Sequence, residues 1–240
     1  MIYRERGVVL RTYRLGEADK IVSILTEGRG KVRAVAKGVR KTKSRFGGRL
    51  EPMTHVALQL YEGRELDTIT QAETIETFRA VREDLSRLAR AGALLEVVDQ
   101  IGREGESNGP LYRMLLGALR ALSADDSALL VAGFYWKLLS QEGFHPLLEV
   151  CASCGADGRD VALVAFDLAE GGALCGSCRR GVPVAPETFA LLREILGGGL
   201  ARALTEPPSA ATGEVEALAT AALEVHLERR LKSSANAMWR

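Results

Sequence analysis

The chain has 240 residues, of which 47% are hydrophobic and 26% are charged, and its formal net charge is +1. These proportions describe a globular protein with buried cores and exclude a mainly disordered chain. No stretch reaches the ~18 uninterrupted apolar residues of a membrane helix, and the first ten residues lack the pattern of a secretion signal. We therefore expect a cytoplasmic protein with no membrane partner.

The near-neutral total conceals an uneven distribution of charge. Residues 1–50 carry 14 Lys or Arg and 4 Asp or Glu, a net charge of +10, whereas residues 51–240 carry 18 and 27, a net charge of −9. Such a division predicts an anionic partner for the first part. Nine basic and no acidic residues lie between positions 29 and 49, namely Arg29, Lys31, Arg33, Lys37, Arg40, Lys41, Lys43, Arg45 and Arg49.

The first 80 residues have the pattern of short strands separated by glycine-containing turns. Segments rich in Val, Ile, Thr and Tyr cover residues 7–13, 20–26, 31–38, 54–63 and 67–75. Five strands are the number found in a small barrel. Side chains alternate along a strand, so in the third segment the side chains of Lys31, Arg33, Val35 and Lys37 share one face.

The basic segment continues from that strand into a loop over residues 38–48. Because predicted strands bracket the loop, we interpret it as a binding surface, with an idle solvated loop as the alternative. Single-stranded nucleic acid is bound by cations together with aromatic stacking platforms, and the candidate aromatics are Tyr13, Phe46 and Tyr61. Only Phe46 lies inside the basic segment, so we add Phe46 to the nine basic residues as a predicted nucleic-acid contact.

After Arg82 the apolar residues recur at helical spacing. A first helix is indicated between Leu85 and Ile101, and further helices are predicted over the segments 109–123, 125–143, 186–198 and 213–233. The segment 125–143 is apolar around nearly its whole circumference, so we expect it to run through the middle of a bundle. A loop is expected over residues 205–213, which include two consecutive prolines.

All four cysteines form two pairs, Cys151 with Cys154 and Cys175 with Cys178, in the pattern C-x2-C-x20-C-x2-C. This spacing favours one structural Zn²⁺ ion, because four thiolates complete a tetrahedron and leave no open position for catalysis. Disulfides are the alternative. Tight turns at Gly155 and Gly176 would aim N–H groups at sulfur, and Arg179 and Arg180 would offset the negative charge of the centre. The segment 161–168 is expected to form a strand of a small ribbon.

The sequence lacks the common motifs of enzymes. It contains no phosphate-binding G-x-x-x-x-G-K-[ST] loop, no G-x-S-x-G and no H-E-x-x-H. His55, His145 and His226 are far apart in the sequence and are interpreted as structural or surface residues. We therefore expect a protein that is not an enzyme. A zinc-ribbon RNA-binding or ribosome-associated factor stays open as an alternative, because phosphate contacts do not separate DNA from RNA.

Two stretches carry a family resemblance. The segments "GEADKIVSILTEGRGKVRAVAKGVRKTKSRFGGRLEP" and "GFHPLLEVCASCG" resemble the RecO family of bacterial recombination mediator and repair proteins, and the similarity extends to about residue 232. The resemblance implies a protein of the RecF pathway that binds single- and double-stranded DNA, anneals strands, associates with RecR and with the tail of the single-strand DNA-binding protein, and helps to load RecA. The last residues, "SSANAMWR", depart from the tail expected of the family.

Together these observations predict an α+β multidomain protein. We expect a five-stranded OB-fold barrel over residues 1–80, a helical bundle in two parts over 81–148 and 183–240, and a four-cysteine zinc ribbon over 149–182. The predicted location is the cytoplasm, with association with the nucleoid during repair.

Overall fold

A computed structural model describes residues 1–235 of the chain, so the end of the divergent tail segment, residues 236–240, lies outside the described residues. The chain divides into two compact units, the first covering Met1–Asp125 and the second beginning at Asp126. None of the helices within residues 1–235 is both long enough and apolar enough to span a membrane.

The first unit is built on a closed five-stranded barrel with the strand order β1-β2-β3-β5-β4. All neighbouring strands are antiparallel except β3 and β5, which pair in parallel. The predicted OB-fold barrel is confirmed. The strands are β1 (Ile2–Leu15), β2 (Asp19–Thr26), β3 (Gly30–Ala36), β4 (His55–Tyr61) and β5 (Asp67–Glu76).

The alternation predicted for β3 is also confirmed. Val32, Ala34 and Ala36 are buried in the barrel core, whereas Arg33 is exposed and Lys31 is partly exposed. Burial of the small apolar face against the other strands fixes the register of β3, because a slip by one residue would turn its charged side chains inward. The outer face of the strand therefore carries the cations.

Three helices complete the first unit: α1 (Arg79–Arg82), α2 (Leu85–Ile101) and α3 (Gly109–Ala124). The carboxylate of Asp84 caps α2 by accepting from the Arg87 N–H at 2.9 Å, and Asn108 caps α3 in the same way. The helical spacing starting at Leu85 was predicted correctly, but Leu85 itself is 77% exposed. The inward face of α2 instead begins at Ala91 and continues through Leu94 and Val98.

Side-chain hydrogen bonds join these helices to the barrel. The Ser23 hydroxyl on β2 donates to the Asp99 carboxylate on α2 at 2.6 Å, and the Lys31 ammonium donates to the Asp99 carbonyl oxygen at 2.6 Å. The predicted boundary at residue 80 follows the end of the barrel, whereas the compact unit extends to residue 125. The difference has a physical cause, because α2 and α3 bury their apolar faces on the barrel.

The second unit combines helices with a small three-stranded sheet of order β7-β6-β8. The helix Leu129–Gln141 is apolar and buried around most of its circumference, as predicted, and its Trp136 packs edge to face on Phe166 with ring centroids 5.9 Å apart. The elements are α4 (Leu129–Gln141), β6 (Leu163–Asp167), β7 (Gly172–Cys175), β8 (Val182–Pro183), α5 (Pro186–Leu196), α6 (Leu200–Ala203), α7 (Ala210–His226) and α8 (Lys232–Ala235).

Two helices have boundaries that differ from the prediction. The last long helix, predicted over 213–233, starts earlier, at Ala210, because Ser209 and Thr212 form a reciprocal capping box. It ends at His226. The helix predicted from residue 125 starts later, at Leu129. The strand predicted over 161–168 is confirmed as β6.

Candidate nucleic-acid surface and metal centre

The basic loop between β3 and β4 is anchored to the barrel. The Gly38 N–H donates to the Asp19 carboxylate at 2.7 Å, and the Arg40 N–H donates to the Ala18 carbonyl oxygen at 2.9 Å. Val39, Phe46 and Leu50 point into the barrel core. The loop is thus held at its start, middle and end, and its charged side chains occupy the intervening exposed positions.

Six of the nine predicted basic residues lie on this loop, and all six are exposed. Within residues 1–235 the ammonium groups of Lys37, Lys41 and Lys43 have no carboxylate partner. The Arg40 guanidinium donates to the carbonyl oxygens of Gly16 and Glu17, which fixes the side chain without neutralising it. Arg49 likewise donates to the carbonyl oxygens of residues 45 and 46. The loop therefore presents concentrated, uncompensated positive charge.

The other three predicted basic residues, on and beside β3, are engaged differently. Arg29 lies 3.8 Å from the Glu62 carboxylate and its guanidinium stacks 4.0 Å above the ring of Tyr3. Arg33 lies 3.7 Å from the Glu104 carboxylate. The Lys31 ammonium donates to the Asp99 carbonyl oxygen on α2. These cations are close to the loop in sequence, but each already has a partner in the chain.

Phe46 is a correction to the sequence analysis. Its side chain is fully buried in the barrel core, and the Arg45 guanidinium covers the ring at 4.8 Å. A base cannot stack on a ring that solvent does not reach. Phe46 instead anchors the loop, as its position between Val39 and Leu50 in the core shows.

Tyr13 and Tyr61 are the exposed aromatics of the barrel, at 42% and 53%. Tyr13 pairs with Ile21 on β2, which in turn pairs with Val35 on β3, so the ring lies on the same outer surface as the cations of β3. The Arg11 guanidinium lies 5.1 Å from the Tyr13 ring centroid. Tyr13, a candidate in the sequence, is thus an exposed aromatic ring beside a cation, whereas Phe46 is not.

The four cysteines of the second unit converge as predicted. Their sulfur atoms all lie within 4.8 Å of one another, and the Cys154 and Cys175 sulfurs are 3.8 Å apart. A metal–sulfur bond of about 2.3 Å in a tetrahedron places sulfurs about 3.8 Å apart. The cluster thus has the dimensions of a four-thiolate metal site. Cys175 ends β7, Cys178 belongs to the following 3-10 turn, and Cys151 and Cys154 lie in the preceding knuckle.

The electrostatics of the cluster fit a dication. Burial opposes ionisation of Cys151, but backbone N–H groups directed at its sulfur, that of Cys175 at 3.4 Å among them, lower its pKa to about 6. Hydrogen bonds to the sulfurs of Cys154 and Cys175 raise the pKa of Cys178 to about 12. Removing the proton of the last thiol beside the other sulfurs is therefore unfavourable. A bound dication would replace that proton and stabilise all four thiolates.

Two details around the cluster can be compared with the sequence analysis. Gly155 has the positive φ of 74° that a tight turn after the first knuckle requires. Arg180 was expected to offset the charge of the sulfurs, but its guanidinium is bound by the carboxylates of Asp167 and Glu170. Arg180 thus ties the turn before β7 to the second knuckle, which is a structural role.

Comparison with known proteins finds matches over both units of the chain. The family model described as "Recombination protein O N terminal" matches residues 1–78, and the model described as "Recombination protein O C terminal" matches residues 82–235. The DNA repair protein RecO of a Nocardioides species is 46% identical over 244 aligned residues, which cover 98% of this chain and 98% of that relative. The similarity therefore extends through the barrel and through the cysteine cluster.

Proposed function

The chain belongs to the recombination protein O family, whose named relative is a DNA repair protein, and on that premise we propose that it binds single- and double-stranded DNA and anneals complementary strands. The proposal assigns it no enzymatic activity. In the RecF pathway it would associate with RecR and the single-strand DNA-binding protein and promote RecA loading, in the cytoplasm and on the nucleoid.

The observation that carries the DNA-binding proposal is the anchored loop with its uncompensated cations. Phosphate contacts made by such residues release counterions, so the affinity is expected to fall steeply with salt and to depend little on base sequence. Tyr13 beside Arg11 adds an exposed stacking face on the same surface, which favours single strands whose bases are accessible.

Annealing needs no nucleotide under this proposal. Two complementary strands repel each other through their phosphates, and a surface with many unpaired cations lowers that repulsion while the bases find their partners. Base pairing then provides the driving force. The protein contributes screening and local concentration, which are properties of a charged surface and require no catalytic group.

The protein partners are proposed to bind the second unit. Its residues 126–240 carry 10 Lys or Arg and 14 Asp or Glu, so this unit is less suited to a polyanion than the first. It also exposes Phe144 at 58%, Leu147 at 49% and Val225 at 50%. Such apolar side chains suit a peptide ending in hydrophobic residues, such as the tail of the single-strand DNA-binding protein.

The proposed ion of the cysteine cluster is Zn²⁺, held by Cys151, Cys154, Cys175 and Cys178. Zinc matches an all-thiolate tetrahedral ligand set. With four protein ligands no position is left for water or substrate, so the ion would act as a structural link between the two knuckles.

One experiment tests the proposal and its main alternative. Strand annealing is measured with complementary DNA and with complementary RNA, each with and without ATP. The proposal expects ATP-independent annealing of DNA. Annealing of RNA alone would instead favour an RNA-binding factor, and a requirement for ATP would indicate an enzyme. For the tail peptide, binding should weaken in Leu147→Ala and not in Leu88→Ala, which removes a leucine of similar exposure, 41% against 49%, from the first unit.

A further inference from the structure

The nine cations of the basic segment fall into three groups: the six on the loop, the pair Arg29 and Arg33, and Lys31, whose ammonium donates to the Asp99 carbonyl oxygen. Those on the loop have no carboxylate partner among residues 1–235, whereas Arg29 and Arg33 each face a glutamate from a distant segment. Glu62 follows β4, at the start of the turn to β5, and Glu104 lies in the linker between α2 and α3. All four side chains are between 42% and 50% exposed, so solvent and ligands can reach both ion pairs.

Both ion pairs line one small groove of about 190 Å³ on the outer side of β3. Tyr3, Lys31 and Asp67 also line it, and the Tyr3 hydroxyl donates a hydrogen bond to the Asp67 carboxylate. The two arginines therefore share one groove, in which Glu62 and Glu104 are the carboxylates paired with them, while Arg64 and Glu65 complete its charged lining. A DNA strand that follows the basic segment would meet these carboxylates at positions where it would otherwise meet only cations.

The backbone holds both glutamates in place. The Lys31 N–H donates to the Arg103 carbonyl oxygen at 3.1 Å, and Glu104 forms β-bridges with Gly30 and Lys31. Gly30 is required for this approach, because a Cβ atom there would lie 1.9 Å from the Glu106 carbonyl oxygen. The Glu62 N–H donates to the Met1 carbonyl oxygen at 2.8 Å. The two carboxylates are thus presented by anchored segments.

We propose that Glu62 and Glu104 are internal counter-ions: their carboxylates occupy the positions at Arg29 and Arg33 that DNA phosphates would take, until a DNA strand displaces them. A strand first contacts the uncompensated loop and gains the two arginines only by competing with the glutamates. Exposed ion pairs of this kind contribute little to stability, so phosphates compete with them readily. The glutamates would thereby set the affinity and keep strands exchangeable, as annealing requires. This inference rests on the proposed DNA binding.

The test uses the full chain and the isosteric variants Glu62→Gln and Glu104→Gln. Glu106→Gln is the matched control, since it removes the same charge from the same linker but frees Arg103, which lies outside the basic segment. Binding of a fluorescent oligothymidylate is measured over a salt series. Each variant should bind about 1.5- to 5-fold more tightly than the control at low salt, the range expected for one exposed ion pair. Each should also steepen the slope of log K against log salt by up to about 0.7.

A double-mutant cycle separates the local effect from net charge. In an Arg33→Ala background, Glu104→Gln should change the affinity no more than Glu106→Gln does. Equal effects of the two variants in the wild-type background, or an unchanged salt slope, would overturn the inference while leaving the DNA-binding proposal standing. A wild-type chain that fails to bind the oligonucleotide would instead overturn the proposed function itself.

Discussion

The imidazole of His55, on β4, shares a hydrogen bond with the hydroxyl of Tyr112, on α3, with 2.8 Å between Nε2 and the hydroxyl oxygen. His55 is only 4% exposed, and its Nδ1 atom has no hydrogen-bond partner among the described residues. The pair joins the barrel to a helix that lies beyond the predicted barrel domain. It is therefore a point where the stability of the first unit depends on a single titratable side chain.

The first prediction concerns the pH dependence of stability. Burial and, after it, the nearby Arg120 lower the pKa of His55 below its usual value of about 6.5. The folded state therefore takes up a proton at His55 less readily than the unfolded state, so stability decreases as the pH falls below about 6.5. We expect the free energy of unfolding to decrease between pH 7 and pH 5 more steeply in the wild type than in His55→Gln.

Denaturant unfolding at several pH values measures this difference. His145→Gln is the control, because His145 is exposed and its Nδ1 atom shares a hydrogen bond with the hydroxyl of Ser140. At pH 7 the His55→Gln variant should itself be destabilised by about 1–3 kcal/mol, since it disturbs a buried hydrogen bond. Parallel pH profiles of wild type and His55→Gln would contradict the role of His55.

The second prediction tests the loop. Replacing Lys37, Lys41 and Lys43 together by Ala should flatten the slope of log K against log salt for single strands by up to about 2, because each phosphate that the protein no longer neutralises lowers the slope by about 0.7. The melting temperature should hardly change, because these ammonium groups are exposed and have no carboxylate partner in the described chain. The triple Lys→Arg variant keeps the charge and should keep the slope. A slope that stays the same in the alanine variant would place the DNA elsewhere.

The third prediction separates Tyr13 from Phe46. Tyr13→Ala should weaken binding of single strands by about 1–3 kcal/mol, the value of one stacked base, without lowering stability, whereas Tyr13→Phe should bind normally. Phe46→Ala should cost about 3–5 kcal/mol of folding free energy, because it empties a fully buried position. Oligonucleotide titration and denaturant unfolding of the three variants distinguish a DNA-binding residue from a core residue. Loss of DNA binding in a stably folded Phe46→Ala chain would reverse the assignment.

These aromatics mark the limit of what the sequence could predict. The strands and the cysteine site follow from local patterns, because alternation along β3 and the two-residue spacing of each knuckle need no knowledge of distant segments. Tyr13 was named as a candidate but Phe46 was preferred, because only Phe46 lies inside the basic segment, and the alternation of β1 does not show which of its side chains are exposed. Residues 7–10 are all buried, and the register shifts between Val9 and Arg11. Residues 7–10 are buried on both faces of β1 because α2 and α3 pack on its outer side. The sequence of the strand alone does not indicate this packing.

The pairing of charged residues is a second feature that the sequence alone could not predict. The basic segment was evident from the sequence, but its division into free and paired cations was not, because Glu62 and Glu104 reach Arg29 and Arg33 only through the fold. The extent of the first unit was equally hidden. The sequence period changes near residue 82, but the Ser23–Asp99 and His55–Tyr112 bonds keep the next two helices with the barrel. The basic composition of residues 29–49 identifies a charged surface, but only the folded structure shows which of its cations have carboxylate partners.

The last prediction concerns the metal. Cys175→Ser should release the proposed ion and lower the melting temperature of the second unit, because Cys175 is a buried proposed ligand whose N–H also donates to the Cys151 sulfur. The affinity for single strands should stay within about twofold, since the proposed DNA surface belongs to the first unit and each exposed phosphate contact depends on local charge. Ser177→Ala, in the same turn between the two ligands, is the matched control and should keep the metal. Elemental analysis, thermal unfolding and oligonucleotide titration give the three readouts. One zinc per wild-type chain and none in Cys175→Ser would support the structural role, whereas a metal-free wild type with a disulfide in its mass spectrum would refute it.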